Sequence, residues 1–371
     1  MRWSWPIGRL AGIGVYVHAT FPLLLVWIGM AAYQRDPSVG SVLSAIAFIL
    51  AIFAIVVLHE LGHALTARRF GIATRDITLL PIGGVARLER MPREPRQELL
   101  IALAGPAVNV ALAILLWLAL ALTGGTPPVE SVTLDASFLS REVLARLLAV
   151  NVWLALFNLI PAFPMDGGRV LRAFLAMRSG NYAKATETAA RVGRFFALLF
   201  GMLGLFVTGN PFLVVIALFV WLGAAGEAAA VQTSAMLEDV PLSSVMITDV
   251  RTLAPTDPLA RAMELTLSGF QQDFPVVQNG AVVGVLTRQG LVRGLAAGGL
   301  AASVANAMQR EFQVASPDEP VEQALGRLKA SATHAMPVVR GSQLLGVLTM
   351  ENVGEFIALR AALRGARGTV P

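Results

Sequence analysis

Long uncharged runs alternate with arginine-rich segments from the N-terminus to about residue 230. A membrane-spanning helix needs about 20 mostly apolar residues. The last of these runs, residues 195–226, is interrupted by Gly209-Asn210-Pro211, a turn signal. The pattern therefore predicts six spanning helices, at about residues 18–34, 41–65, 99–125, 143–161, 188–208 and 211–230.

The composition is also that of a membrane protein. Hydrophobic residues make up 56% of the 371 residues and charged residues only 14%, which is unusual for a soluble domain. The net charge of +5 does not indicate a nucleic-acid partner, because the arginines lie between apolar runs, where membrane topology places them. The N-terminus has no small-residue cleavage site after a short apolar core, so we expect no removable signal peptide.

Two of the loops between the predicted spans carry most of the arginines of residues 1–230. These are residues 66–98 and 166–194, whereas the loops at 35–40, 124–141 and 208–211 carry at most one basic residue each. The positive-inside rule places arginine-rich loops in the cytoplasm. We therefore expect a multi-pass protein of the inner (plasma) membrane, in contact with the lipid bilayer, with both termini in the cytoplasm.

The second predicted span ends in His59-Glu60-Leu61-Gly62-His63. Histidines four residues apart share one face of a helix, so both imidazoles can bind one Zn²⁺ while Glu60 acts as a general base. The alternative is a chance pattern of satisfied polar groups, but ionisable residues at a membrane span are usually functional. Cysteine is absent, so any further protein ligand must be His, Asp or Glu.

Asp166 is the candidate for the third ligand. It follows the fourth predicted span in Pro161-Ala162-Phe163-Pro164-Met165-Asp166-Gly167-Gly168, at the cytoplasmic level that the loop charges assign to His59. The prolines break the helix and the glycines permit a tight turn, so the carboxylate can point back into the bundle. The alternative is an aspartate that caps the next helix.

Residues 72–86 are rich in β-branched and turn-forming residues and predict a strand or a membrane-associated hairpin. An edge strand at this level of the membrane can pair with an extended peptide. A plain cytoplasmic hairpin explains the residues equally well.

From about residue 240 the chain repeats itself at a constant offset along the sequence. Met246 matches Met308, Pro275 matches Pro337, and residues 284–287 match residues 346–349. Such a repeat indicates two copies of one structural unit. Each copy predicts a helix, two short apolar strands and a second helix, an α/β arrangement.

Three motifs within residues 1–230 together resemble the site-2 protease family of intramembrane zinc metalloproteases. They are His59-Glu60-Leu61-Gly62-His63, Ala104-Gly105-Pro106-Ala107-Val108-Asn109, and the segment from Asn158 to Gly168. The resemblance implies an endopeptidase that cleaves transmembrane substrates near the cytoplasmic face. It implies one zinc per chain, bound by His59, His63 and Asp166, with Glu60 as general base.

The same resemblance suggests four further site residues. Asn109 and Asn158 correspond to polar residues near the active site that position substrate or stabilise the oxyanion. Gly83 and Gly84 correspond to a glycine-containing strand that meets the substrate. From the residues alone, an asparagine inside a span is as readily a bridge between helices.

The C-terminal repeat resembles a pair of cystathionine-β-synthase-type (CBS) domains, which commonly bind adenine nucleotides through a Thr or Ser followed by an Asp. Thr287 and Thr349 occupy the hydroxyl positions, whereas Gly290 and Asn352 stand where the Asp is expected. The missing Asp puts an adenine nucleotide cofactor in doubt without excluding it. The alternative is that the CBS pair serves homodimerisation or substrate gating.

The expected fold is a multi-pass α-helical membrane protein, with six transmembrane helices and a membrane-associated β-hairpin, followed by a cytoplasmic α/β CBS-repeat domain. A CBS-regulated transporter and a catalytically inactive membrane binding module are the alternative functions, and no nucleic-acid partner is expected. The expected bounds are 1–231 for the six-span protease domain, 232–239 for a linker, 240–299 and 300–362 for the two CBS repeats, and 363–371 for a tail.

Overall fold

The computed structural model describes residues 3–81, 83–90, 92, 94–122, 141–269, 271–331 and 333–367. The chain forms two compact units, Met1–Ala229 and Ala230–Pro371. Long apolar helices dominate the first unit, and the second is an α/β structure.

Seven helices begin within the described residues of the first unit. They are α1 (Phe21–Arg35), α2 (Val39–Arg69), α3 (Pro95–Leu122), α4 (Arg141–Asn158), α5 (Asp166–Ser179), α6 (Tyr182–Met202) and α7 (Pro211–Leu237). Helix α2 begins after Ser38, whose hydroxyl accepts a hydrogen bond from the Ser41 N–H and so satisfies one free donor of the first turn. Arg68 and Arg69 lie in its last turn, where the helix dipole favours positive charge.

Four helical segments of the described residues are long and apolar enough to cross a membrane. They are Val39–Arg69, Pro95–Leu122, Tyr182–Val207 and Pro211–Leu237. Large apolar side chains on these segments, such as Trp117 and Phe206, are exposed, as expected where lipid replaces water. The first predicted span forms a helix of only 15 residues, and the fourth, α4, carries Arg141, Glu142 and Arg146. The first unit is therefore a membrane domain, and the number of six spans stays a prediction.

A four-stranded sheet accompanies these helices, with the order β1-β2-β3-β4. Its strands are β1 (Ser4–Leu10), β2 (Ile13–His18), β3 (Thr74–Leu80) and β4 (Gly83–Leu88). Strands β3 and β4 pair antiparallel within the region predicted to be a strand or hairpin, and β2 pairs with β3 in parallel. Among the described residues β4 is therefore an edge strand. Strands β1 and β2 were not foreseen from the sequence.

Apolar contacts hold the sheet against α1 and α2. Val15 and Leu79 from β2 and β3 share a buried cluster with Phe21, Phe53 and Val57 from the two helices. Phe21 and Phe53 meet edge to face, with ring centroids 4.6 Å apart. This cluster fixes the sheet beside the second half of α2, where the histidine motif lies.

The turn between α4 and α5 is compact because two glycines open helix α5. A Cβ atom on Gly168 would lie 2.6 Å from the backbone nitrogen of Phe163, closer than real Cβ contacts come. Only glycine therefore lets the start of α5 pack against this turn. The close packing places Asp166 in the first turn of α5, facing the other helices.

The second unit carries a four-stranded sheet with the order β5-β6-β8-β7, covered by helices. The strands are β5 (Phe274–Gln278), β6 (Ala281–Leu286), β7 (Ala335–Arg340) and β8 (Gln343–Thr349). The helices are α8 (Leu259–Ser268), α9 (Arg288–Gly298), α10 (Val304–Ala307), α11 (Val321–Ala330) and α12 (Met350–Arg367). Two separate apolar clusters form the cores of the two repeats.

The two repeats exchange equivalent contacts. Ile247 of the first repeat bridges to Val347 of the second, and Gln309 of the second bridges to Val285 of the first. At the constant offset of the repeat, Gln309 is the counterpart of Ile247, and Val347 is the counterpart of Val285. Each repeat therefore supplies the same short segment to the other's sheet. The offset in the sequence is thus a structural repeat with local two-fold symmetry.

Candidate functional site

Helix α2 and the first turn of α5 bring three potential metal ligands together. The Oδ2 atom of Asp166 lies 3.2 Å from Nε2 of His59 and 3.1 Å from Nε2 of His63, and the two Nε2 atoms are 3.1 Å apart. All three residues are buried. Among the described residues they form the one group of three or more His, Cys, Asp or Glu side chains that could hold a metal ion.

The chemistry and spacing of this cluster fit a zinc ion. Tetrahedral ligands at about 2.0–2.1 Å from zinc lie roughly 3.3–3.4 Å from one another, close to the distances between these three atoms. Two imidazole nitrogens and a carboxylate oxygen packed this closely, away from water, repel one another unless positive charge lies between them. A fourth position would remain for water or substrate, as in catalytic zinc sites.

Asp166 has the ionisation state that a metal ligand requires. Burial alone would raise the pKa of Asp166, but the imidazoles of His59 and His63 and the guanidinium of Arg169 hold it well below its usual range. The side chain is therefore a carboxylate, as metal binding demands. Asp166 is not the N-cap residue of α5, which was the alternative to a ligand role, because Met165 occupies that position.

Glu60 lies between the metal cluster and the edge strand β4. Its Oε2 atom accepts a hydrogen bond of 3.1 Å from the backbone N–H of Ala86. A Cβ atom on Gly84 would lie 3.0 Å from Cγ of Glu60, so glycine permits this close approach. Gly83 begins the strand with a φ of 142°, a conformation that favours glycine. The edge of the sheet therefore runs directly past Glu60.

Asn109 and Asn158 occupy different surroundings. Oδ1 of Asn109 lies 2.5 Å from Nδ1 of His59, and the residue is fully buried. Asn158 is half-buried and donates to the carbonyl oxygen of Leu154 in its own helix. Asn109 thus contacts a proposed metal ligand directly, and the substrate or oxyanion role predicted for it stays a prediction. The role predicted for Asn158 stays a prediction.

Gly105 of α3 lies against the reactive atoms of both histidines. A Cβ atom at this position would lie 2.6 Å from Nε2 of His59 and closer still to Nε2 of His63. The lack of a side chain at residue 105 therefore leaves room beside the two nitrogens. This gives a structural reason for the glycine in the Ala104-Gly105-Pro106 motif.

A buried ionic cluster joins α5 to two other helices. Arg172 is fully buried; its Nε donates to Glu98 of α3 at 2.8 Å, and its Nη1 donates to Glu227 of α7 at 2.5 Å. Its guanidinium also lies 5.0 Å from the ring centroids of Phe163 and Tyr182. Burial alone would lower the pKa of Arg172, but the charges of Glu98 and Glu227 raise it, so the arginine stays charged.

The second unit contains an open cavity of about 910 Å³. Thr287 and Thr349 line it from equivalent positions of the two repeats, together with Asp273 and His334. The Thr287 hydroxyl accepts a hydrogen bond from the Gly290 N–H at the start of α9. Asp273 accepts hydrogen bonds from the backbone of both repeats, at Arg288 and at His334. Its carboxylate thus joins the repeats at the cavity wall.

The fold and the first site together define the class of protein, which is a metallohydrolase built into a membrane domain. Comparison with known proteins agrees. The model of peptidase family M50 matches residues 47–200, and the CBS-domain model matches residues 242–297 and 303–358. The catalytic part and the repeat are thus recognised separately.

Individual relatives extend the match to nearly the whole chain. A zinc metalloprotease of Methanocaldococcus jannaschii is 32% identical over 360 residues, which cover 95% of this chain and 96% of the relative. Stage IV sporulation protein FB of Bacillus subtilis is 28% identical over 160 residues, which cover 43% of this chain and 50% of that protein. Among solved structures, the site-2 protease of M. jannaschii is 36% identical to this chain, with a TM-score of 0.44. The match covers 61% of this chain and 95% of the chain of that structure.

The chain belongs to peptidase family M50, the site-2 proteases, and carries a tandem pair of CBS domains. It is an intramembrane zinc metalloendopeptidase, as the motifs of the sequence predicted. The relatives do not favour the alternative of a CBS-regulated transporter.

Sequence reasoning missed three residues that the structure places at or beside the site. They are Asn151, Arg172 and Gly105, the last of which lies within a motif but had no predicted role of its own. A polar or charged residue inside an apolar segment is a general signal of function or of helix contacts. That signal could have identified Asn151 in the span predicted at 143–161, although not its partner.

Proposed function

We propose that this protease hydrolyses peptide bonds within transmembrane protein substrates, near the cytoplasmic face of the membrane. The observation that carries the proposal is the convergence of Asp166, from α5, on the two histidines of α2, with Glu60 on the same helical turn. Neither a transporter nor a binding module needs a general base beside two metal ligands.

His59, His63 and Asp166 would hold one zinc ion per chain. When bound, zinc supplies the Lewis acidity that makes water nucleophilic near neutral pH and polarises the scissile carbonyl. Glu60 takes a proton from the attacking water as the new C–O bond forms. It then gives that proton to the leaving amine as the C–N bond breaks. The hydrogen bond from Ala86 orients the Glu60 carboxylate for both transfers.

Strand β4 is the proposed docking edge for the substrate. A helical substrate must unwind before its peptide bond can reach Glu60, and its exposed backbone then needs hydrogen-bond partners. An extended segment paired with the outer edge of β4 finds those partners at the backbone groups beside Ala86, whose own N–H is bonded to Glu60. Gly83 and Gly84 keep the start of this edge free of side chains. Asn158 is the candidate for contacts with the substrate or the oxyanion.

The proposed topology has six spans, with both termini in the cytoplasm and the protein in the inner (plasma) membrane. Its support is the distribution of arginine among the loops, together with the four long apolar segments. In this topology α1 and α4 are the two short spans, and the sheet lies at the membrane boundary on the cytoplasmic side.

The CBS pair is proposed to regulate cleavage by binding an adenine nucleotide in its cavity. The size of the cavity and the two threonines at equivalent positions support a ligand site. The second candidate role for the pair is homodimerisation. The residues Gly290 and Asn352 favour that role, since neither supplies the carboxylate that would bind ribose hydroxyls.

The decisive experiment measures zinc and cleavage on the same purified protein. The full chain in detergent should contain one zinc and should cleave a transmembrane peptide in a chelator-sensitive manner. Glu60→Gln should keep the zinc and lose activity by about 10²- to 10⁴-fold, the usual contribution of a general base. Asp166→Ala should lose both zinc and cleavage.

Glu187→Gln is the matched control, because Glu187 is exposed and forms its salt bridge with Arg191 one turn along the same helix, α6. This variant should keep zinc and activity. Undiminished cleavage by Glu60→Gln would refute the assignment of the base. Full zinc occupancy in Asp166→Ala would refute the third ligand.

A further inference from the structure

The two histidines of the proposed zinc site use their second ring nitrogens differently. Nδ1 of His63 lies 2.6 Å from the carbonyl oxygen of Ile101. A carbonyl oxygen can only accept a hydrogen bond, so Nδ1 of His63 must carry the proton. Its Nε2 atom then has a free lone pair, directed at His59 and Asp166. One contact fixes this tautomer.

His59 has no such unambiguous partner. Its Nδ1 atom lies 2.5 Å from the side-chain amide of Asn109, and an amide can present either its oxygen or its NH₂ group. With the oxygen towards His59, Nδ1 is protonated and Nε2 can bind a metal. With the amide reversed, Nδ1 must accept and the proton moves to Nε2, which then cannot bind a metal.

Asn151 of α4 removes this ambiguity. Its Oδ1 atom accepts a hydrogen bond of 3.2 Å from Nδ2 of Asn109, while its own Nδ2 donates to the carbonyl oxygen of Leu147 at 2.9 Å. Since the Leu147 carbonyl can only accept, Asn151 must face Asn109 with its oxygen. Asn109 must then face His59 with its own oxygen. The whole chain of hydrogen bonds has a single direction.

Burial makes this arrangement difficult to replace. Asn109 and Asn151 are both fully buried, so water cannot readily supply an alternative partner. Reversal of either side chain would leave a buried amide group unpaired, which is unfavourable. The chain of groups joins α2, α3 and α4.

We infer that Asn151 is a positioning residue for the metal centre: through Asn109 it sets the tautomer of His59 that can bind zinc. The hydrogen-bonded chain from the Leu147 carbonyl through Asn151 and Asn109 to His59 thus acts on the metal without touching it. The inference rests on the proposed zinc site. Residues that hydrogen-bond to metal-bound histidines usually contribute about 10- to 100-fold to metal affinity.

The first test compares zinc affinity in the full chain by competition with a chelator of known affinity. Asn151→Leu removes the acceptor for Asn109 at similar volume, and we expect zinc to bind about 10- to 100-fold more weakly. Asn158→Leu is the control for affinity, because Asn158 lies in the same helix and makes the same kind of bond to its own backbone. It should bind zinc as the unaltered chain does.

The second test distinguishes positioning from simple loss of packing. Asn109→Asp gives His59 a carboxylate, which accepts from Nδ1 in either orientation and needs no Asn151. The double variant Asn109→Asp with Asn151→Leu should therefore recover most of the lost affinity, whereas a packing defect at residue 151 would persist. ¹⁵N NMR of the labelled histidines in metal-free protein should show the proton of His59 on Nδ1 in the unaltered chain and a change in Asn151→Leu.

Three results would overturn the inference. They are zinc affinity of Asn151→Leu within about threefold of the unaltered chain, against the expected loss of about 10- to 100-fold; no recovery in the double variant; and no proton on Nδ1 of His59 in the unaltered chain. Failure of the proposed function has a different signature, since the unaltered chain itself would then bind no zinc or would not cleave the transmembrane peptide.

Discussion

At the scale of single residues, the absence of a side chain at Gly105 is as important as the ligands themselves. Gly105→Ala would place a Cβ atom 2.6 Å from Nε2 of His59 and closer to Nε2 of His63, so both imidazoles would have to move. Changes beside a metal site that leave the ligands in place already cost about 10- to 100-fold in affinity. We therefore expect zinc affinity to fall at least about 100-fold, measured as zinc content after dialysis against a chelator.

The matched control for this change is Gly201→Ala in α6. There the new Cβ atom would lie 3.6 Å from Cβ of Ala217, an ordinary contact. Zinc content should stay at one per chain in the control. If Gly105→Ala kept its zinc, the ligands would not be held as closely against α3 as the structure indicates.

Local spacing explains which site residues could be predicted from the sequence. His59, Glu60 and His63 share one helical turn, so the sequence alone places them together. Asp166 was predicted because proline and glycine mark the turn that carries it. Asn151 and the contact of Gly105 were missed, because they depend on how closely α3 approaches its neighbours. The periodicity of apolar residues does not indicate how far apart two packed helices lie.

At the scale of secondary-structure elements, Arg172 holds α5, and therefore Asp166, in place. Arg172→Met would leave Glu98, which is itself buried, without its ionic partner. Loss of one member of a buried pair destabilises a protein by about 3–5 kcal/mol. We expect a clearly lower unfolding temperature in detergent, with a smaller loss in the double variant Arg172→Met with Glu98→Gln, which removes the more deeply buried of the two stranded charges.

Arg191→Met is the control for this prediction. Arg191 pairs with Glu187 on the exposed face of α6, and such exposed pairs contribute little to stability. Its unfolding temperature should be unchanged. Equal effects of Arg172→Met and Arg191→Met would mean that the buried cluster does not hold the three helices together.

Helices with a long apolar sequence could be predicted, whereas strands β1 and β2 could not. Apolar length alone located α2, α3, α6 and α7. Strand β1 could not be recognised, since six of its seven residues are exposed and no alternation of apolar and polar positions marks it. Strand β2 pairs in parallel with β3, and both α1 and α2 lie between them in the chain. Pairing over that distance leaves no local signal.

At the scale of the whole molecule, the constant offset within the C-terminal repeat predicted the CBS pair because equivalent residues must make equivalent contacts. The reciprocal bridges of Ile247 and Gln309 are such contacts. The purpose of the cavity between the repeats is not encoded in this symmetry. It depends on which side chains line the wall, where Gly290 and Asn352 replace the acidic residue common in such pairs.

The cavity lined by Thr287 and Thr349 is where a regulatory nucleotide would bind. If an adenine nucleotide regulates the protease, titration calorimetry of the full chain with ATP, ADP and AMP should show saturable binding of at least one of them. Thr287→Val removes one hydroxyl from the wall, and loss of one hydrogen bond should weaken binding roughly 2- to 12-fold. Thr287→Ser is the control, because serine keeps both the hydroxyl and its bond to the Gly290 N–H, so affinity should be retained. Zinc content should be the same in both variants. An absence of heat with all three nucleotides would contradict regulation by an adenine nucleotide and would leave homodimerisation as the role of the CBS pair, which requires a dimer in sedimentation of the same sample.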